Sequence, residues 1–250
     1  PPRQTLMESI QDVEGLLCLL TDSIDAEVLL GARRLRAVSN LATGYDNIDV
    51  ETATRLGISV GNTPRVLDNT TADYAFALIL ASSRHVIEAD RHVRQGNWHT
   101  WEPLGFLGQD VHGATLGIVG LGAIGTEVAK RALGFGMRVV YHTRTRRQKE
   151  EELLGLEYAE RLEELLQLAD FVSLHLPLTP DTYQLIDSAA LQVMKPTAVL
   201  VNTGRGPLVD TMALYHALSS GIIGGAALDV TDPEPLDKDH PLLKLENVLV

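Results

Sequence analysis

Cysteine is almost missing from this chain: Cys18 alone stands among 250 residues, inside the run Leu16-Leu17-Cys18-Leu19-Leu20. A single thiol excludes a disulfide framework and suits a reducing, cytoplasmic setting. Flanked by leucines, it reads as an inert thiol in a buried strand rather than a nucleophile. Long apolar runs are missing too. The longest spans 74–81, far short of the ~20 residues that cross a bilayer, and neither a signal peptide nor a lipidation motif is seen, so no membrane partner is expected. Positive charge is in deficit, with 21 Lys and Arg against 33 Asp and Glu and a formal net charge of −12. That balance argues against a nucleic-acid surface, and any bound anion must be held by a local positive pocket. No repeat, low-complexity tract or cluster with metal-ligand spacing stands out.

Against those absences stands a regular alternation. Short β-type runs alternate with helical patterns from end to end, which predicts parallel α/β architecture. Strands are expected over 16–20, 35–41 and 58–61, with helices near 26–32 and 50–56. A long amphipathic helix is expected over 71–94, with Ala75, Leu78, Ile79 and Val86 on one side and Arg84, Glu88 and Arg91 on the other. The stretch 96–113 carries Trp98, Trp101, Pro103 and Phe106. So long a loop is functional or lies at an interface, and its tryptophans favour an arm that embraces a second subunit. Further strands over 116–119, 137–141, 170–176, 198–202, 223–229 and 247–250 make a six-stranded set, the size of a complete dinucleotide-binding sheet. Helices between them centre on Glu163, Leu191 and Leu214. The acidic runs 150–152 and 160–164 read as solvated helix faces.

The densest signal lies at 115–147. An apolar strand runs into Gly120, Gly122 and Gly125, then a helix, then a second strand that ends in basic residues. Gly120 permits the tight turn, Gly122 lets a pyrophosphate approach the backbone, and Gly125 lets the helix pack close to the strand. The phosphates would rest on free N–H groups at the helix N-terminus. After the second strand a carboxylate usually accepts from the ribose hydroxyls of NAD; none stands here. Thr143, Arg144, Thr145 and Arg146 offer donors and positive charge instead, which favours NADP, with NAD possible. The alternative is a solvated basic loop.

A nicotinamide cofactor implies hydride transfer, and in an open α/β sheet the ligand lies beyond the carboxyl ends of the strands. Arg205, between Gly204 and Gly206 and just after Thr203, could grip a carboxylate through paired donors or serve as a structural arginine bonding nearby carbonyls, and the two flanking glycines favour the first. Glu234, between Pro233 and Pro235, either orients a histidine or is an ordinary surface glutamate; local sequence weighs these equally. Asp229 either accepts from the nicotinamide amide or caps a backbone N–H. His175, beside Pro177, suits packing near the adenine end better than proton transfer. His85, His92 and His99, spaced by seven, read as a polar helix stripe running into loop, and His240 as the start of a turn before Leu242.

These segments together resemble the D-isomer-specific 2-hydroxyacid dehydrogenases, in particular the members that reduce glyoxylate and hydroxypyruvate. The resemblance covers essentially the whole chain. It is carried by Gly15-Leu16-Leu17-Cys18-Leu19-Leu20, Asn62-Thr63-Pro64 with Thr70-Thr71-Ala72-Asp73, and Trp98-His99-Thr100-Trp101-Glu102-Pro103-Leu104. The glycine turn, Gly204-Arg205-Gly206 and Asp229 through Pro235 complete it.

The resemblance implies a Rossmann-type doubly wound parallel sheet over 67–250, with a dimerisation arm near 96–113. It also implies a smaller flavodoxin-like α/β substrate domain over 1–66. Arg205 matches the substrate-binding arginine, Glu234 the acidic partner of a catalytic histidine, and Thr43 and Gly44 the loop whose N–H groups hold the substrate carboxylate. Thr71 and Asp229 match positions near the nicotinamide. The expected cofactor contacts are Thr71, Gly120, Leu121, Gly122, Ala123, Ile124, Gly125, Thr143, Arg144, Thr145, His175, Pro177, Thr182, Thr203, Gly204 and Asp229. In the family the histidine lies in a Pro-His pair just beyond the strand that here ends at Val250, and a further strand precedes Pro1. On that reading the sequence is trimmed at both ends, and a piece ending at Val250 would be impaired as a catalyst. The expectation is NADPH-dependent reduction of glyoxylate or hydroxypyruvate by a cytoplasmic homodimer. Two alternatives stay open: an NAD(P)-sensing scaffold like the corepressors that share this fold, and a dehydrogenase for 3-phosphoglycerate or D-lactate.

Overall fold

The computed structural model describes residues 2–250, and the chain divides after Leu67 into two compact units. The first holds α1 (Arg3–Ser9), β1 (Gly15–Cys18), α2 (Ala26–Gly31), β2 (Ala37–Asn40), α3 (Val50–Arg55) and β3 (Ser59–Gly61). Its strands form a parallel sheet in sequence order. Asp25 and Asp49 accept from the Val28 and Thr52 N–H groups and cap α2 and α3. Cys18, Ile24, Val28, Leu29, Val38 and Ala53 form the core. The strands are shorter than expected: Leu19 and Leu41 fall outside them and Leu17 faces outward. α1, with Leu6 as its buried residue, was not expected, because one apolar contact leaves no period to read.

The second unit holds α4 (Asp68–Ser83), α5 (Val86–Arg94), β4 (Thr115–Val119), α6 (Ala123–Gly134), β5 (Arg138–His142), α7 (Gln148–Leu154) and β6 (Glu157–Tyr158). It continues with α8 (Leu162–Leu168), β7 (Phe171–Leu174), α9 (Ser188–Gln192), β8 (Val199–Asn202), α10 (Thr211–Ser219), β9 (Gly225–Leu228) and β10 (Val248–Leu249). Its seven strands pair in the parallel order β10-β9-β8-β7-β4-β5-β6. The six expected strands are present, and β6 adds a two-residue edge too short to signal itself. Alternation along the strands feeds two cores. Leu116, Ile118, Val139, Tyr141, Phe171 and Val201 join Ala75, Ile79 and Val128 on one face, while Val119, Val140, Val172, Leu174 and Leu200 join Leu165, Leu191 and Leu214 on the other. Helices on both faces explain why β4, β7, β8 and β9 are buried at every residue.

The long helix expected over 71–94 is two helices. The Ser83 carbonyl, which an unbroken helix would offer to Ile87, accepts instead from the Gln109 N–H at 2.8 Å, and His85 takes a left-handed φ of 53° before α5 begins. Gly108 admits this returning loop, since a Cβ there would overlap the Ser83 oxygen. With the phase broken, Val86 is exposed rather than aligned with Ala75 and Ile79.

Candidate active site

All seven strands run in one direction, so their carboxyl ends share an edge. Along it, in spatial order, follow Asp229 after β9, Thr203 after β8, His175 after β7, Gly120 after β4 and Thr143 after β5. Strand order reverses between β4 and β7, and the crevice at such a switch point is where α/β sheets bind ligands.

The glycines at the switch point have separate reasons. Gly120 has φ 97°, and a Cβ there would lie 2.5 Å from the His175 carbonyl oxygen. A Cβ on Gly125 would overlap the Gly120 oxygen, so α6 starts as close to β4 as backbone allows. At Gly122 a Cβ would meet nothing within 4 Å, leaving open space in front of the helix. Asp187 and Asp210 cap α9 and α10, whereas Gly122 begins α6 with no side-chain hydrogen bond. Leu121 is buried below the turn; Ala123 is exposed and Ile124 half-buried at the first turn of the helix. An uncapped helix N-terminus facing open space fits the pyrophosphate of a dinucleotide.

Thr143 is half-buried, and Arg144 and Thr145 are exposed. Arg146 is committed elsewhere: it pairs with Glu151 at 2.8 Å, whose side chain is only 11% exposed. The 150–152 run is therefore not wholly the solvated face expected, because Glu151 folds back onto the loop.

His175 sits between two hydroxyls, 2.9 Å from Ser173 Oγ and 3.5 Å from Thr203 Oγ1, and burial pushes its imidazole down to about 4. It is neutral at physiological pH. Thr182 donates to the Pro177 carbonyl at 2.7 Å and accepts from the Thr179 N–H at 2.8 Å, so it closes the loop containing Pro177. Thr71 lies half-buried on α4, which is tied to α6 by the Asp73–Arg131 pair at 2.6 Å.

Two asparagines missed in the sequence organise the loops. Asn202 is buried at the end of β8; its Nδ2 donates to the Arg205 carbonyl at 2.8 Å and its Oδ1 accepts from the Gly204 N–H at 3.0 Å. The Arg205 guanidinium donates to the Gly204 carbonyl at 2.8 Å. A Cβ on Gly206 would overlap the Thr231 carbonyl oxygen, so the loops bearing Arg205 and Glu234 touch backbone to backbone. Thr211 reinforces this by donating to the Asp232 carbonyl at 2.8 Å. Glu234 is exposed, and burial together with its charge holds the Asp229 carboxyl above the usual range. His240 accepts from the Leu242 N–H at 3.3 Å and caps the turn that follows.

In the first unit, buried Asn40 ends β2 in the same way. Its Nδ2 donates to the Gly44 carbonyl at 2.9 Å, while Asn62 Nδ2 donates to the Thr43 carbonyl at 2.7 Å. In a trans peptide the N–H lies opposite the C=O, so these bonds turn the Gly44 and Tyr45 N–H groups away from the asparagines. The only signal for either asparagine was a polar residue closing an apolar strand.

Strand order, glycine turn and uncapped helix define a Rossmann-type dinucleotide-binding domain. The sequence profile for "D-isomer specific 2-hydroxyacid dehydrogenase, NAD binding domain" matches residues 76–250. A glyoxylate reductase of Korarchaeum cryptofilum is 55% identical over 251 residues, which cover 100% of this chain and 75% of that protein. Among solved structures, a Thermus thermophilus protein superposes with a TM-score of 0.92 at 48% identity, covering 100% of this chain and 78% of that one. An NADPH-dependent glyoxylate/hydroxypyruvate reductase of Sinorhizobium meliloti, solved with NADP and malonate, gives 0.86 at 35% identity, covering 96% and 73%. The chain belongs to the D-isomer-specific 2-hydroxyacid dehydrogenases and is an NAD(P)-dependent oxidoreductase of that family. Among the described residues no helix is long and apolar enough to cross a membrane, and no group of three or more His, Cys, Asp and Glu could hold a metal.

Proposed function

We propose that this protein reduces glyoxylate, and hydroxypyruvate as a second substrate, to the 2-hydroxy acid at the expense of NADPH. The observation that carries the reading is the strand-end row, with a cofactor turn at Gly120–Gly125 and an arginine loop locked against a glutamate loop through Gly206 and Thr231. The identity to the K. cryptofilum glyoxylate reductase supports the substrate.

NADPH, when bound, supplies the hydride. The turn and the N-terminus of α6 bind its pyrophosphate, and Thr143, Arg144 and Thr145 bind the 2′-phosphate, since no carboxylate follows β5 to accept ribose hydroxyls. Arg205 binds the substrate carboxylate through its paired donors. Glu234 orients and raises the basicity of the histidine that protonates the substrate oxygen. Neutral His175 spaces the β7 and β8 loops and moves no proton. Residues 96–113 form neither helix nor strand, and they leave Trp98, Trp101 and Leu104 64%, 77% and 77% exposed. So much exposed apolar surface supports a homodimer joined through this arm. A free thiol such as Cys18 supports a cytoplasmic location.

The test is consumption of reduced nicotinamide by the intact enzyme with each acid and each cofactor. Turnover with glyoxylate and a preference for NADPH are expected, and Arg144→Asp lowers that preference about tenfold or more, the worth of one charge-assisted contact. Tight cofactor binding without turnover of either acid would make the protein a sensor. An unchanged cofactor ratio in the variant would reduce the basic loop to surface.

A further inference from the structure

The arginines after β5 are not equivalent. Arg144 is exposed and forms no ion pair among the described residues. Arg146 is held three ways. Its Nε donates to both carboxylate oxygens of Glu151, at 2.8 and 2.9 Å, and its guanidinium lies 5.1 Å from the centre of the Tyr158 ring. Glu151 is the more enclosed partner, with its side chain 11% exposed against 54% for Arg146. Arg146 holds the Glu151 carboxyl below its ordinary value, with help from the Tyr141 hydroxyl. Tyr141 is wholly buried, packs 5.4 Å from Tyr158, and accepts the Arg147 N–H at 2.9 Å. Pulling Arg146 towards another anion would strand an enclosed carboxylate, so the pair persists when a phosphate arrives.

We propose that Glu151 is a specificity-determining residue. By holding Arg146 against Tyr158 it keeps that charge from the cofactor's 2′-phosphate, so discrimination between NADPH and NADH falls to Arg144 with Thr143 and Thr145. The inference rests on the reading of this loop as the 2′-phosphate site. It adds that the loop's charge is deliberately under-used: Arg146 is a strut, and Glu151 sets how strongly the enzyme rejects NADH.

Three variants of the intact enzyme separate these claims, read by the NADPH to NADH ratio of kcat/KM. A second readout, independent of turnover, is the calorimetric affinity for adenosine 2′,5′-bisphosphate against adenosine 5′-monophosphate. Glu151→Gln frees Arg146 and raises both ratios about fivefold. Arg146→Ala leaves them within about twofold, and Arg144→Ala lowers them about tenfold. Should Glu151→Gln not fold, Tyr158→Leu loosens the same clamp and shifts the ratios in the same direction. Unchanged or lower ratios in the Glu151 or Tyr158 variants overturn the inference, as does a fall in Arg146→Ala equal to that in Arg144→Ala. If Arg144→Ala alone changes nothing, the 2′-phosphate reading itself fails and takes this inference with it.

Discussion

Gly206→Ala adds one methyl group where the loop bearing Arg205 meets the loop bearing Glu234. Gly206 is buried and is not among the glycines of positive φ, so alanine is tolerated by its backbone conformation and the cost is steric. The new Cβ overlaps the Thr231 oxygen and lies 2.8 Å from the Asp232 nitrogen. Both neighbours are backbone, so no change of rotamer relieves them. The loops must part by about 1 Å, at a cost of about 1–3 kcal/mol. For a unit of this size each kcal/mol lowers Tm by about 2–4 °C, which gives a fall of about 2–12 °C. With Arg205 and Glu234 acting on one substrate, as proposed, a displacement of about 1 Å between them costs about a hundredfold in kcat/KM. Cofactor affinity stays within about threefold, because the Gly120 turn is built on β4, β7 and α6 and does not use this contact. Scanning calorimetry, nicotinamide fluorescence titration and glyoxylate-dependent NADPH oxidation read the three quantities. Wild-type kcat/KM and Tm would refute the steric reasoning. A loss of cofactor affinity equal to the loss of kcat/KM would refute the separation of the two sites.

Burial holds His175 neutral down to about 4 from an ordinary 6.5, so the unfolded chain binds more protons between those values. Stability therefore rises with pH across that window and is lost as pH falls through it. Between about pH 7.5 and about pH 5 this contributes about 2 kcal/mol of loss. His175→Gln removes that share of the slope, and urea unfolding at the two pH values checks it; an unaltered slope sinks the assignment. Asp210 caps α10 by accepting from the Met212 and Ala213 N–H groups at 3.0 and 2.9 Å. Asp210→Ala costs about 1 kcal/mol, seen in the denaturation midpoint, while kcat stays within about twofold; an unmoved midpoint means the cap contributes nothing.

How much could be read without coordinates depended on whether the determining interaction was local. The glycine turn was legible because Gly120, Gly122 and Gly125 sit within one strand–turn–helix unit. There the positive φ of Gly120 and the contact of Gly125 with the Gly120 oxygen are local, although the approach of His175 to Gly120 is not. Arg205 and Glu234 were singled out because each follows a strand at the edge where ligands bind. The break in the 71–94 helix was not legible, because it is made by Gln109, far along the chain, taking the Ser83 carbonyl. Nor was Glu151's role: an acidic run looks solvated until Arg146 and Tyr158 fold over it.

By itself the sequence determined the α/β alternation, the parallel dinucleotide-binding sheet, the glycine turn after β4 and, by resemblance, the family. The first three rest on period, glycine placement and strand ends, and the family on its resemblance in short motifs; all are properties of short segments. Tertiary structure alone decided which arginine of the basic loop is tied up in an ion pair. It also decided that Asn202 and Asn40 shape the loops beyond their strands, and that Gly206 must be glycine. Those outcomes depend on which distant backbone or side chain arrives at a given atom, and one-dimensional spacing carries no record of that arrival.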